Sequence, residues 1–271
     1  MKNNISFLCV GAQRAGTTWL HNCLKEHAGL SLPEKKEVHY FDRNYDKGSD
    51  WYYSHFKECE GRLLGEITPN YYHAPNALER IARDLDDVKI IYILRDPLSR
   101  AYSQYQLYSQ STYSGRTFDD VINNEASVVD FSLQGKYLKK IFSLFKKQNV
   151  LVLFYDDIEV QPEATIKKVF EFLCVESDFI PVRVSQRSNR VVLPGMQKLL
   201  SQMGLKFVTE WVKKSFISEF VKEFFYKKPR SNISNVPNKE ILGEFNEDVN
   251  VIEKLMNKDL LNWKKKLNYE D

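Results

Sequence analysis

Short apolar runs recur along the first half of the chain, and each is followed by a stretch with helical spacing. Ile5–Val10, Arg62–Ile67 (RLLGEI), Val88–Leu94 (VKIIYIL) and Val150–Tyr155 (VLVLFY) read as strands. A strand covered on both faces is continuously apolar rather than alternating, so these runs fit a parallel sheet. Helical patterns lie between them: Thr17–His27, Asn76–Leu85 with Leu78, Ile81 and Leu85 on one face, Leu133–Phe145, and Glu163–Leu173. Asp96 and Pro97 open another helix, since Pro at the first helical position is a start signal. Thr117 to Asp120 has the form of a capping box with Asp in place of Glu. A polar loop with Pro33 and an aromatic-rich segment, Val38–Phe56, carry no clear period. This alternation predicts an α/β fold, three-layered, with a mostly parallel central sheet.

After Val175 the strand patterns stop. Residues 176–194 are irregular and polar, and helices are expected over 195–204, 207–227 and 239–265, with Pro229 and Pro237 as punctuation. No internal repeat or low-complexity linker is visible. One domain over residues 1–271 is expected, an α/β core to residue 190 and a helical C-terminal extension from 191.

Composition narrows the function without naming it. Apolar residues at 43% and charged residues at 28% describe an ordinary globular chain. A net charge of +3 is too small to argue for nucleic acid. Cys9, Cys23, Cys59 and Cys174 form no C-x-x-C pair, and a reducing compartment suits them better than a disulfide framework. No apolar run approaches the roughly 18–20 residues of a membrane span. MKNNIS runs straight into the first strand without a signal peptide, so a cytoplasmic location is expected. No His spacing suits a metal, and none is expected.

Candidate chemistry starts at Phe7–Leu20, FLCVGAQRAGTTWL. A buried strand runs into small residues, Gly11, Ala12, Ala15 and Gly16, which let the backbone approach a ligand. Thr17 and Thr18 then sit in the first turn of a helix, where free N–H groups and the positive helix end attract an anion. The spacing Gly11-x-x-x-x-Gly16 is P-loop-like. A Walker A loop needs Lys after the second Gly, and here that residue is Thr17. The basic residue is Arg14, inside the loop. Three readings stand at this point: a phosphate-like anion site, an ATP–Mg²⁺ site, and a small-residue turn with no ligand.

GAQRAGTTWL resembles the 5′-phosphosulfate loop of sulfotransferases that use 3′-phosphoadenosine 5′-phosphosulfate (PAPS). Arg14 stands where that family usually has Lys, and Ala15, Gly16, Thr17 and Thr18 complete the loop. The strand Val88–Leu94 ends in Arg95, and Ser103 follows eight residues later in RDPLSRAYSQY, as in the family's 3′-phosphate motif. Arg95 at the carboxyl edge and Ser103 on the adjoining helix suit a phosphate monoester; an ion pair of Arg95 with Asp96 is the alternative. Gly135-Lys136-Tyr137, Tyr155 to Ile158 and the helix ending FLCV also resemble the family, so the likeness covers residues 5 to 190. Arg190 or Arg187 is a candidate to close over the 3′-phosphate, or else a surface residue.

Glu37-Val38-His39-Tyr40-Phe41-Asp42 resembles the motif of heparan sulfate and related carbohydrate sulfotransferases, where the Glu is the candidate base. His39 is the rival base; on an extended chain it shares a side with Glu37. Glu66-Ile67-Thr68-Pro69-Asn70-Tyr71 resembles the family's E-K-T-P-x-Y segment, with Ile67 at the Lys position. Tyr40, Phe41, Tyr45, Trp51, Tyr52, Tyr53 and Phe56 are assigned mostly to the core, and the basic runs 227–230 and 264–266 to solvated helix ends. The resemblance implies sulfuryl transfer from PAPS to a hydroxyl or amine of a glycan or small-molecule acceptor. A P-loop kinase-like phosphotransferase and a non-catalytic nucleotide- or glycan-binding protein are the competing readings.

Overall fold

The computed structural model describes residues 5–56, 61–185 and 237–267. The expected helices at 195–204 and 207–227, Cys59, Arg187 and Arg190 lie outside them. All described residues fall in one of the chain's two compact units, Met1–Gln186 with Asn235–Asp271.

Five strands form the sheet: β1 (Ile5–Gly11), β2 (Leu30–Ser31), β3 (Leu63–Ile67), β4 (Lys89–Leu94) and β5 (Val150–Phe154). Their order is β2-β3-β1-β4-β5, and every pairing is parallel. The four strands read from the sequence are present, because their apolar runs are covered on both faces. Phe7, Leu8, Cys9 and Val10 have no exposed surface, nor do Ile90 to Leu94. β2 has two residues, too few for a periodic signal.

Helices α1 (Thr17–Lys25), α4 (Ala77–Asp84), α5 (Pro97–Tyr108), α8 (Gln134–Leu144) and α10 (Pro162–Leu173) match the expected segments to within one or two residues. Asp96 caps α5 by accepting from Ser99 N, and Thr117 caps α6 (Phe118–Asn124) by accepting from Asp120 N. The aromatic segment folds as two short helices, α2 (Tyr40–Arg43) and α3 (Gly48–Tyr53), joined by a 3₁₀ turn. Tyr40, Phe41, Tyr52 and Phe56 of that segment are buried, as expected of core aromatics. Short helices α7 (Ala126–Asp130) and α9 (Tyr155–Val160) complete the first 185 residues. The helix expected over 239–265 is two, α11 (Lys239–Met256) and α12 (Leu261–Leu267), because Asn257 takes the left-handed region at φ 48°.

The strand order fixes where a ligand belongs. The chain leaves β1 for one side of the sheet, and after β3 it crosses to the other. In open parallel sheets the crevice at the carboxyl ends of the strands flanking such a reversal is the binding position. β1 and β4 are those neighbours, and they end at Gly11 and Leu94. Both candidate phosphate motifs therefore start at one edge of the sheet.

Candidate active site

The loop after β1 turns through two left-handed residues, Arg14 at φ 70° and Gly16 at φ 98°. Gly16 is constrained twice. Its backbone is unfavourable for a side chain, and a Cβ there would lie 3.2 Å from Tyr155 and from Ile158. The turn places Thr17 at the first position of α1, so the orphan N–H groups of that helix face the carboxyl edge.

Arg14, Arg95 and Ser103 come together. Arg14 Nε donates to Ser103 Oγ at 3.1 Å, and Arg95 Nη1 donates to the Arg14 carbonyl at 2.6 Å. The sequence kept Arg14 with the loop and Ser103 with the separate 3′-phosphate motif; the structure joins them through one guanidinium. Arg95 also lies over the Tyr155 ring, 4.4 Å from its centroid, and its buried Nε has no partner. Among the described residues neither Arg14 nor Arg95 is in an ion pair. The alternative pairing of Arg95 with Asp96 does not occur, since the Asp96 carboxylate is held by Lys266 at 2.6 Å. Burial, and then the neighbouring Arg95, pull the Arg14 guanidinium below its usual value. Two half-buried cations without carboxylates, beside free helix N–H groups, form a site built for a multiply charged anion.

The residues expected on the acceptor side form a second group. Glu37 and His39 both have positive φ, 68° and 56°. The expectation of an extended chain with both side chains on one side is corrected: a turn brings them together. It is held from below by buried Glu66, at the end of β3. The Glu66 carboxyl accepts from Tyr52 OH at 2.9 Å, Tyr71 OH at 2.8 Å and Thr68 Oγ1 at 2.9 Å, and the Val38 N–H also bears on it. Tyr71 OH in turn accepts from Tyr40 N at 2.9 Å, and Thr68 Oγ1 from His39 N at 3.5 Å. Burial raises Glu66 against the pull of these donors.

On this support stands a row of alternating charge. Lys36 Nζ contacts Glu37 Oε1, His39 Nε2 lies 3.6 Å from Glu37 Oε2, and His39 Nδ1 is 2.9 Å from Asp42 Oδ2. His39 first, then Lys36, hold Glu37 down at about 2. Asp42 and then Glu37 hold His39 up at about 9. At 3.6 Å the Glu37–His39 contact is a close ion pair, longer than a hydrogen bond.

Lys36 was not singled out in the sequence, although it precedes the candidate base. Gln134 was also missed. Its side chain accepts from Arg95 N at 3.0 Å and donates to the Arg95 carbonyl, pinning that residue's backbone. No local pattern announces a glutamine that acts across 39 positions. Ile67, at the position where the family places Lys, is buried at 1% exposure.

A parallel α/β sheet with an anion-loop motif after its central strand and a second basic motif after the neighbouring strand defines a P-loop-like fold, with an edge suited to a phosphorylated ligand. Known proteins give the family. The sulfotransferase domain model matches residues 5–193, and the chain belongs to that family. It is similar to the membrane-associated sulfotransferase kil1 of Dictyostelium discoideum, 33% identical over 140 residues, which is 48% of this chain and 30% of that protein. It is also similar to human heparan sulfate glucosamine 3-O-sulfotransferase 3B1, 28% identical over 176 residues, 61% of this chain and 45% of the relative. The matches thus span less than half of these curated relatives. Among solved structures, a sulfotransferase from Alicyclobacillus acidocaldarius superposes with a TM-score of 0.69 at 21% identity, covering 96% of this chain and 98% of its own. At that identity the likeness establishes the fold. Among the described residues no helix is long and apolar enough to cross a membrane.

Proposed function

We propose that this chain transfers the sulfuryl group of PAPS to a hydroxyl or amine of an acceptor, and that the acceptor is a carbohydrate. The observation that carries the donor reading is the convergence of Arg14, Arg95 and Ser103 beside the α1 N-terminus, with no carboxylate partner for either arginine among the described residues. The orphaned, buried Arg95 Nε fits a group that is itself a strong acceptor, as a phosphate is. Bound PAPS supplies the sulfuryl group and a bisphosphate that leaves.

The residues divide the rest of the work. The loop N–H groups, Thr17 and Thr18 hold the 5′ anionic end. Arg95 and Ser103 hold the 3′-phosphate, and Arg14 bridges the two halves. Negative charge that grows on the leaving oxygen is met by fixed donors, which need no reorganisation during the reaction. Glu37 takes the acceptor proton. His39, oriented by Asp42, fixes the Glu37 carboxylate, while Lys36 supplies a cation beside it. A carbohydrate acceptor is supported by the likeness to a heparan sulfate sulfotransferase. A cytoplasmic location belongs to the same reading, supported by buried free thiols at Cys9 and Cys23. The ATP–Mg²⁺ reading is not favoured, because Thr17, buried, occupies the Walker Lys position.

The test is a thermal-shift series followed by product analysis. Adenosine 3′,5′-bisphosphate should stabilise the protein and ATP–Mg²⁺ should not. With PAPS and a panel of glycans, mass spectrometry should find sulfated product. Glu37→Gln should retain bisphosphate binding and lose transfer. Stabilisation by ATP–Mg²⁺ alone would overturn the proposal.

A further inference from the structure

The family match ends at residue 193, and helices α11 and α12 lie beyond it. They nevertheless reach the donor site at three points, and all three surround Arg95. Arg95 has three neighbours that fix it. Its backbone is gripped by the Gln134 side chain. Its guanidinium rests on the Tyr155 ring. Its next residue, Asp96, caps α5, the helix that presents Ser103. Each of these supports is held from behind by the C-terminal helices, one residue away.

Behind Gln134, the Asp248 carboxylate of α11 accepts from Gly135 N at 2.7 Å and Lys136 N at 2.8 Å. Those are first-turn N–H groups of α8, so Asp248 acts as its N-terminal anion from a distant part of the chain. The approach is close: a Cβ at Gly135 would lie 2.6 Å from the Asp248 carbonyl oxygen, so only glycine fits. Behind Tyr155, Trp263 Nε1 donates to Asp156 Oδ2, and Lys258 pairs with Asp157 at 3.1 Å. At Asp96 itself, Lys266 of α12 lies 2.6 Å from Oδ2. Asp96 is 1% exposed, and among the described residues Lys266 is its one cationic partner. The expectation that the basic run 264–266 is a solvated helix end is corrected here: Lys266 reaches back to the sheet edge, and Lys264 pairs with Glu253.

We infer that Asp248 and Lys266 are positioning residues for the 3′-phosphate, and that α11 and α12 are part of the donor site rather than an appendage. This rests on the donor reading above. Removing Lys266 leaves the buried Asp96 carboxylate uncompensated beside Arg95. That carboxylate is then free to draw the Arg95 guanidinium away from the ligand. Removing Asp248 frees the N-terminus of α8, and with it the Gln134 clamp. The 5′ loop is carried by β1 and α1, and the C-terminal helices reach it only indirectly, through Arg95, which donates to the Arg14 carbonyl, and through Tyr155, which packs against Gly16.

Isothermal titration of the full chain separates the two ends of the ligand. Adenosine 3′,5′-bisphosphate carries the 3′-phosphate; adenosine 5′-phosphosulfate lacks it. Lys266→Met and Asp248→Asn should each weaken the bisphosphate about tenfold, the size of one charge-assisted hydrogen bond. Binding of the phosphosulfate should change less than about twofold, within the range of an uninvolved surface change. Lys266→Arg should restore the bisphosphate. Lys266 is half exposed and Lys266→Arg keeps a cation for Asp96, so recovery by that variant separates the lost pair from a general folding defect. Equal loss for both ligands, or no loss for either, overturns the inference. If the unmodified chain binds no bisphosphate, the donor reading itself fails, and this inference with it.

Discussion

Tyr71→Phe tests whether the Glu66 hub holds the catalytic turn or only fills the core. The change deletes one oxygen and preserves the ring, which is fully buried and packs edge-on against Phe41 at 5.5 Å. That oxygen donates to Glu66 Oε1 at 2.8 Å and accepts from Tyr40 N at 2.9 Å and, more weakly, from Phe41 N at 3.4 Å. Glu66 keeps Tyr52 and Thr68, so its loss is partial. The Tyr40 N–H is left buried without its partner, which costs about 1–3 kcal/mol. Together with the weakened carboxyl contact, about 3 kcal/mol is expected, less than a simple sum because the partners are shared. For a chain of this size that corresponds to a fall in Tm of about 6 °C. Tyr40 directly follows His39, so the loss also loosens the turn that presents Glu37. A displacement approaching 1 Å costs up to about a hundredfold in rate. The assay is a pair of measurements, Tm by calorimetry and steady-state kinetics with PAPS varied. The expected result is a kcat about tenfold lower with an unchanged KM for PAPS, since the donor residues lie on other elements. A lower Tm with unchanged kcat refutes the positioning role, and an unchanged Tm refutes the hub.

The charged row makes its own predictions. His39 is raised to about 9, so its stabilisation is complete below 6.5 and lost as pH rises through about 9. Glu37 is lowered to about 2, so its contribution is complete above 4.5 and lost as pH falls through about 2. With Glu37 as base and protonated His39 beside it, kcat/KM should be level from pH 5 to 8 and fall above about 9. A rise of tenfold per pH unit towards 9 would instead assign the base to His39. Arg14→Lys should weaken adenosine 3′,5′-bisphosphate about tenfold, because an ammonium lacks the fork that reaches Ser103 and the ligand together. In a double-mutant cycle Ser103→Ala should add little to Arg14→Lys; additive losses would show that the bond between them carries no coupling.

Legibility in the sequence followed the range of the physics. β1, β3, β4 and β5 were readable because a strand buried on both faces writes an unbroken apolar run. The nearness of Arg95 and Ser103 was readable because a strand end and the first turns of the next helix are neighbours in sequence as well as in space. The Glu37–His39 geometry was misread, since the turn is imposed by Glu66, Thr68 and Tyr71, about thirty positions away. α2 and α3, with four and six residues, are too short to show a helical period against a background of aromatics. Asp248 and Lys266 look like any charged residue on a helix. Only the close approach demanded at Gly135 left a trace, in a glycine opening a helix.

The two charged groups handle charge in opposite ways, and this bears on how the proposed base would work. Near the donor loop the guanidiniums of Arg14 and Arg95 have no anion to balance them among the described residues. On the acceptor side, Lys36, Glu37, His39 and Asp42 alternate in sign and cancel. A carboxylate held at about 2 is fully ionised but a poor proton acceptor, because its basicity is spent on its neighbours. Of those neighbours His39 is anchored by Asp42, whereas Lys36 has no such tether in the row. Loss of the Lys36 contact would raise the basicity of Glu37, since its hydrogen bond and charge are among the causes that hold that carboxylate down.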